Sequence, residues 1–343
     1  MSAISCYHEA HLKPQGPGDA RPTAQQIIDD QNLNNTLPGQ VMLVTGCTNG
    51  IGIETARALH STGADVYITG RNVTSLEKTA ADIISKTKGT GKLEILHLDL
   101  NSLASVRSAA EGFLSKESRL NVLVCNAGIM AAPEGRTVDG FETQFGVNHL
   151  GHFLLVQLLL PALKAGSKAS PNRTSRVVAV SSIGHRAGSI RFDDYNFEKD
   201  GYNTWVAYGQ AKTANIWMAN YIDRVYGADT EAPIHAYSLH PGGIYTNLQQ
   251  HVDEATKEKW KTLPNADTYM KSIEQGAATS VFCAVAAEWE GKGGKYFSNC
   301  EVVGPTGEDN ALGVSDDGHA TWAYDPAGER KLWKESVRMV GLE

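Results

Sequence analysis

Tyr208 and Lys212 stand four residues apart in "AYGQAKTAN" (207–215), a stretch that otherwise favours helix. On a helix that spacing puts a phenol and an ammonium on one face. A free tyrosine, with a pKa of about 10, is a poor proton shuttle at neutral pH. A cation one turn away favours the phenolate and is expected to lower that value. Tyr208 could then give a proton to a carbonyl oxygen, or take one from an alcohol. Ser182 closes the apolar run "SRVVAVSS" (175–182), at the carboxyl end of a strand, where ligands of open α/β sheets collect. Its hydroxyl can donate to an oxygen on which charge develops. Ser181 is the neighbouring candidate. A Tyr–Lys pair alone fits a solvated helix face equally well, so the reading depends on a cofactor for the pair to serve.

"TGCTNGIG" (45–52) follows an apolar strand pattern and opens a helical one. Gly46, Gly50 and Gly52 allow a tight turn and a close approach of backbone N–H groups to a pyrophosphate at the helix N-terminus. The second strand ends "ITGRN", with Arg71 where an acidic residue would bind the ribose hydroxyl of NAD. The planar fork of an arginine suits a phosphate, so the position points to NADP(H). The loop has no basic residue before Gly50 to act as a second clamp.

The elements that must hold these residues alternate. Apolar strand runs at 39–46, 64–71, 92–100, 120–128, 175–182 and 233–242 are separated by helical patterns, including 74–88. Such alternation implies parallel βαβ units, helices on both faces, and a doubly wound α/β sheet in a single domain. Loops are expected at 184–204, 245–272 and 303–325. The 343 residues carry a net charge of −7 and no Lys/Arg cluster, which argues against nucleic acid as a partner. Five dispersed cysteines without a metal-ligand spacing read as reduced intracellular thiols, and no metal is expected. His149, His152 and His185 are read as structural for the same reason. The apolar stretch at 152–163 reads as a buried helix too short to span a membrane. Residues 1–37 are polar and read as a partly mobile extension. The tail ends in an amphipathic pattern of Leu332, Trp333, Val337 and Val340, expected to pack on the domain.

"TGCTNGIG", "NAG" (126–128), Asn148, Ser182 and "YGQAK" (208–212) together resemble the short-chain dehydrogenase/reductase family in its single-domain branch. "FGVNHLGHFLL", "SSIGHR", "SLHPGGIYT", "EQGAATSVFCAV" and "GKYFSNC" are similar to its retinol-dehydrogenase-like members, among them many fungal secondary-metabolite enzymes. The resemblance covers residues 38–300 and implies a Rossmann-like NADP-binding catalytic domain there, between an N-terminal extension (1–37) and a C-terminal one (301–343). It implies a catalytic set of Asn148, Ser182, Tyr208 and Lys212. Tyr208 would be the acid/base, Lys212 would also hold the nicotinamide ribose, and Asn148 would hold a water linking Lys212 to solvent. It favours Ser182 over Ser181. Further cofactor contacts would come from Thr45, Asn49, Ile51, Asp99, Leu100, Asn126, Ala127, Gly128, Pro241, Gly242, Ile244 and Thr246.

The gap of 26 residues from Ser182 to Tyr208 is longer than usual in the family, and the inserted loop is expected to shape the mouth of the site. Trp205, Tyr245 and Leu248, with Trp260, Leu263 and Tyr269 beyond, suggest an apolar substrate. The implied activity is an NADP(H)-dependent alcohol dehydrogenase or ketoreductase acting on a lipophilic secondary alcohol or ketone. The implied setting is cytoplasmic, without a membrane anchor, as a homodimer through the helices carrying 152–165 and 205–226. The rival reading is a repurposed NADP-binding scaffold, a redox-responsive regulator or a non-redox cyclase; four filled catalytic positions speak against it.

Overall fold

Four apolar residues in a row, Val41–Val44, form β1, and all are buried. Val41 and Leu43 enter one core, Met42 and Val44 the other, as expected of a strand covered on both faces. The computed structural model describes residues 5–170, 172–263, 265–307 and 318–343, so the middle of the loop expected at 303–325 lies outside the described residues.

The remaining strands are β2 (Asp65–Gly70), β3 (Leu93–His97), β4 (Val122–Cys125), β5 (Ser175–Val180), β6 (Ile234–His240), β7 (Lys295–Ser298) and β8 (Glu301–Val302). They line up as β3-β2-β1-β4-β5-β6-β7-β8, parallel throughout except for β8. All six expected strands are present; β7 and the edge strand β8 are additions. The chain order reverses between β1 and β4, and open α/β sheets bind ligands at the carboxyl ends of strands on either side of such a point.

In chain order the helices before β5 are α1 (His8–Leu12), α2 (Ala24–Asp30), α3 (Ile51–Ser61), α4 (Val73–Lys86), α5 (Leu103–Leu114), α6 (Thr143–Phe145) and α7 (Gly151–Ala169). After it come α8 (Thr204–Tyr226), α9 (Glu254–Lys261), α10 (Ala266–Tyr269), α11 (Ile273–Gly276), α12 (Ala278–Val285) and α13 (Pro326–Met339). Phe113 of α5, Phe153 of α7 and Trp217 of α8 fill one core. Leu59 of α3, Ile83 of α4 and Phe282 of α12 fill the other. The helical run Thr143–Ala169 is long and apolar enough to cross a membrane, contrary to the expectation from 152–163. Most of it is buried inside the protein, as in a core helix of a soluble domain.

The N-terminal arm corrects the sequence reading. Ile27 and Ile28 of α2 have no exposed surface and join the second core, and Tyr7 meets Phe282 edge-on. Arg21 is buried against Asp19 and donates to the carbonyls of Thr268, Tyr269 and Met270 at 2.6–3.2 Å. The polar composition of the arm concealed a short apolar pair and one arginine that ties the arm to the segment after α9. In the tail, Leu332, Trp333 and Val340 are buried. Trp333 stacks on Tyr221 of α8, with centroids 4.3 Å apart, and meets Phe153 of α7 edge-on. Glu329, almost fully buried, accepts from Asn220 and pairs with Arg224 on α8. A second copy approaching the faces of α7 and α8 would therefore meet α13.

Candidate active site

Thr45, at the end of β1, joins the two strands at the reversal. Its Oγ1 accepts from the N–H groups of Asn126 and Ala127, each at 2.9 Å. It also lies 2.9 Å from His152 Nε2. The other ring nitrogen, Nδ1, lies 3.0 Å from the Asn148 carbonyl oxygen and must donate to it. Nε2 is then the acceptor, and the Thr45 hydroxyl donates to it. Burial keeps this imidazole neutral, with its pKa pushed down to about 4. His152 was read as structural. It nevertheless couples the glycine loop to Asn148. A histidine on an apolar helix gave no sign of that in the sequence.

Asn148 lies in a π-helical turn, Gly146–Leu150. Its side chain brackets one residue: Oδ1 accepts from Ile129 N–H at 2.8 Å and Nδ2 donates to the Ile129 carbonyl at 2.9 Å. This fixes the "NAG" turn. A Cβ built on Gly128 would stand 3.1 Å from Asn148 Oδ1 and 3.5 Å from Lys212 Nζ, so the three residues converge.

Asn203 caps α8, accepting from Trp205 and Val206 N–H groups, and so starts the helix that carries Tyr208 and Lys212. The two serines separate cleanly. Ser181 Oγ is committed to the Lys212 carbonyl at 2.8 Å. Ser182 Oγ accepts from Gly184 N–H at 3.0 Å, which leaves its own proton to donate, and it faces the Tyr208 phenol. Gly184 permits the approach, since a Cβ there would lie 2.6 Å from Tyr208 Cε1.

The electrostatics differ from the sequence expectation. Burial drives the Tyr208 pKa up to about 12, opposed by the Ser182 hydroxyl. Lys212 does not pull it down: Nζ donates to the Val180 carbonyl at 3.0 Å and lies 5.6 Å from the phenol ring centre. Burial lowers Lys212 itself to about 8. Helical spacing places the pair on one face, but the desolvation of that face decides their protonation. Both groups thus carry their proton at neutral pH. An amine is charged below its pKa and neutral above it, so Lys212 loses its cation as pH rises through about 8. The affinity of the free protein for NADPH is therefore expected to weaken, by up to about tenfold, as pH passes that value. Fluorescence titrations on both sides of it should show this, and Lys212→Met should bind weakly at every pH.

The remaining loop residues form a cradle. Gly46 and Cys47 N–H groups both donate to the Thr69 carbonyl. The N-cap of α3 is Gly50, with no side chain to satisfy the first N–H groups, which leaves them open to an anion. Asn49 and Ile51 flank Gly50. Thr246 approaches from the far side, 3.4 Å from a Cβ built on Gly50, and caps the short helix Asn247–His251. Asn126 holds the carbonyls of Thr45 and Gly46 through Nδ2, while its Oδ1 is a buried acceptor without a partner among the described residues. Lys212 Nζ has two protons left over. Uncapped N–H groups, an orphan acceptor and a buried cation fit a nicotinamide dinucleotide. Arg71 is exposed at the end of β2, and among the described residues none pairs with it. Asp99 accepts from Asn101 N–H, leaving the capping of α5 to Ser102. Leu100 is less favourable: its side chain is buried in the core and its backbone abuts Gly151. Pro241, Gly242 and Ile244 follow β6, with the buried Lys271 packed on Gly242.

A model of the short chain dehydrogenase family matches residues 40–257. The chain belongs to the short-chain dehydrogenase family. "Short-chain dehydrogenase/reductase prx1" of Penicillium roqueforti is 48% identical over 336 residues, covering 98% of this chain and 95% of that protein. Retinol dehydrogenase 12 of Mus musculus is 42% identical over 315 residues, 90% of this chain and 89% of that one. The RhlG/NADP active-site complex of Pseudomonas aeruginosa superposes with a TM-score of 0.60 at 25% identity, covering 77% of this chain and 96% of that chain. This short-chain dehydrogenase is thus of the retinol-dehydrogenase-like, fungal type, a single-domain Rossmann-like oxidoreductase that binds a nicotinamide cofactor.

The substrate side of this short-chain dehydrogenase is only partly assembled from the residues expected there. Trp205 meets the Tyr208 ring edge-on at 6.4 Å, and Trp260 of α9 meets Trp205 at 5.8 Å. Leu248 is half-buried, Tyr245 is exposed, and Tyr269 bonds His240. Most of the insertion after Ser182 does not line the mouth. Tyr195 stacks on Phe145 and bonds Glu335, while Phe192 sits under Lys331, so this loop packs on α6 and α13.

Proposed function

We propose that the protein is an NADP(H)-dependent reductase or dehydrogenase interconverting lipophilic secondary alcohols and ketones. The observation that carries this reading is the setting of Tyr208. It is a buried, protonated phenol with the Ser182 hydroxyl against it and Trp205 beside it, which Trp260 meets in turn. The bound nicotinamide would supply or accept the hydride. In reduction, Ser182 donates a hydrogen bond to the carbonyl oxygen, and Tyr208 protonates that oxygen as charge grows on it. Lys212, charged at neutral pH and donating to the Val180 carbonyl, would hold the nicotinamide ribose through its remaining protons. Oxidation runs the same proton path backwards. Trp205 and Trp260 supply apolar surface for the substrate. Five unpaired cysteines, four of them buried, suit a reducing compartment such as the cytoplasm. With all four catalytic positions filled, a regulatory or non-redox use of the scaffold has no observation in its favour.

The choice of NADP(H) rests on Arg71, open at the end of β2 with no carboxylate beside it, and the NADP complex of RhlG supports it. Arg71→Ala should weaken NADPH binding by about tenfold or more and leave NADH little changed, read by nucleotide fluorescence. Equal affinity of the wild type for both nucleotides would remove Arg71 from this role.

A further inference from the structure

Two histidines beside the catalytic residues reach past the catalytic turns to the C-terminal segment. His185 is buried three residues after Ser182. Its Nε2 accepts from Ala320 N–H at 2.9 Å. A backbone N–H can only donate, so Nε2 is bare and Nδ1 carries the proton. Nδ1 donates to the Ser182 carbonyl, 2.5 Å away. Burial holds this ring neutral, with its pKa lowered to about 3, so one tautomer persists across the working range. Arg186, next along, donates from Nε to the Gly318 carbonyl at 2.9 Å. His149, the residue after Asn148, lies with its Nε2 3.0 Å from Ser336 Oγ on α13. The segment that receives these contacts is itself secured. Trp217 and Asn220 of α8 donate to the carbonyls of Trp322 and Ala323, and Glu329 is buried against α8.

We infer that the segment Gly318–Met339 is a strap that sets the positions of Ser182 and Asn148, with His185 and His149 as the positioning residues. The inference rests on the reading of Ser182 as the donor to the substrate oxygen. Ser182 leaves β5 in extended backbone and enters a single turn of 3-10 helix, Ile183–Ala187. Past the last ladder residue of β5 the Ser182 carbonyl takes two donors from one residue, the His185 backbone N–H at 3.1 Å and its ring Nδ1, so the ring reinforces a single short turn. Asn148 likewise sits where a regular helix is interrupted. A hydroxyl displaced by a fraction of an ångström still permits binding but slows the chemical step.

Two substitutions divide the relay. His185→Gln keeps an acceptor near the Nε2 position for Ala320 but loses the donor to Ser182. His185→Asn keeps that donor and loses the acceptor. The readouts are kcat and KM for NADPH-dependent reduction of a ketone that the wild type turns over, the NADPH Kd, and the melting temperature. Both variants should lose about tenfold in kcat, with KM and Kd within about twofold of wild type. In a Ser182→Ala background, His185→Gln should cost nothing more. Ser336→Ala, too small a change to unfold the protein, should lower kcat severalfold at an unchanged melting temperature. Wild-type kcat in His185→Gln, or a loss that multiplies onto Ser182→Ala, would overturn the positioning role. Wild-type kcat in both His185→Asn and Ser336→Ala would overturn the strap. Failure of the wild type to reduce any carbonyl with NADPH would instead bring down the functional reading beneath it.

Discussion

Tyr208→Phe is expected to lower turnover by about 10³-fold or more while leaving NADPH bound, a loss of roughly 4 kcal/mol of transition-state stabilisation. The ring is 3% exposed and wedged between the Gly184 turn and Trp205, so phenylalanine fills the same space. Only the hydroxyl goes, and with it the proton that neutralises the new alkoxide. Ser182 remains as a hydrogen-bond donor to the substrate oxygen, which is why a residual rate above background is expected. It cannot replace Tyr208, because a serine hydroxyl without a partner base does not deliver its proton at neutral pH. The measurement is single-turnover oxidation of bound NADPH by a ketone accepted by the wild type, with NADPH affinity titrated separately. A variant with near-normal turnover would remove Tyr208 from the chemistry.

That experiment depends on a pKa that the spacing suggested was lowered and that burial instead raises. The Tyr-x-x-x-Lys spacing is enough to put both side chains on one helical face, and α8 does so. It carries no information on what covers the face. Once α8 is packed between β5, β6 and the Ser182 turn, desolvation raises the phenol and lowers the amine, and Lys212 turns to Val180. The neutral phenol is still the form that reduction requires. Strands were legible because both faces of the sheet are covered, which writes them as unbroken apolar runs; β7 was missed because four residues, one of them an exposed lysine, make too short a run. Contacts between distant segments left no such trace. His152 bridging Thr45 to Asn148, Arg21 gathering three carbonyls and His185 meeting Ala320 each join residues far apart in the chain. Each is built on a single polar side chain with at least one backbone partner, and a backbone group has no letter in the sequence.

Gly52→Ala should abolish detectable NADPH binding, a loss of about 100-fold or more, and cost several kcal/mol of stability. The added methyl would stand 2.3 Å from the Gly46 carbonyl oxygen and 2.5 Å from Asn126 Nδ2. The first neighbour is backbone at a residue with φ of +76°, where a Cβ on Gly46 would in turn strike Ala127 at 2.8 Å. The loop therefore cannot retreat toward β4, and Asn126 cannot yield without releasing the Thr45 and Gly46 carbonyls that it holds. What must move is the first turn of α3, whose open N–H groups make the phosphate site. Gly112→Ala is the matched control: it lies inside α5, with its nearest contact at an ordinary 3.5 Å. There the exchange should stabilise the protein by about 0.5–1 kcal/mol and leave NADPH binding unchanged. Thermal melts and fluorescence titrations of the two variants separate the effects. If Gly52→Ala still bound NADPH like the wild type, the phosphates would have to sit elsewhere than on this turn, and the orphan acceptor of Asn126 and the uncapped start of α3 would be left without a ligand to explain them.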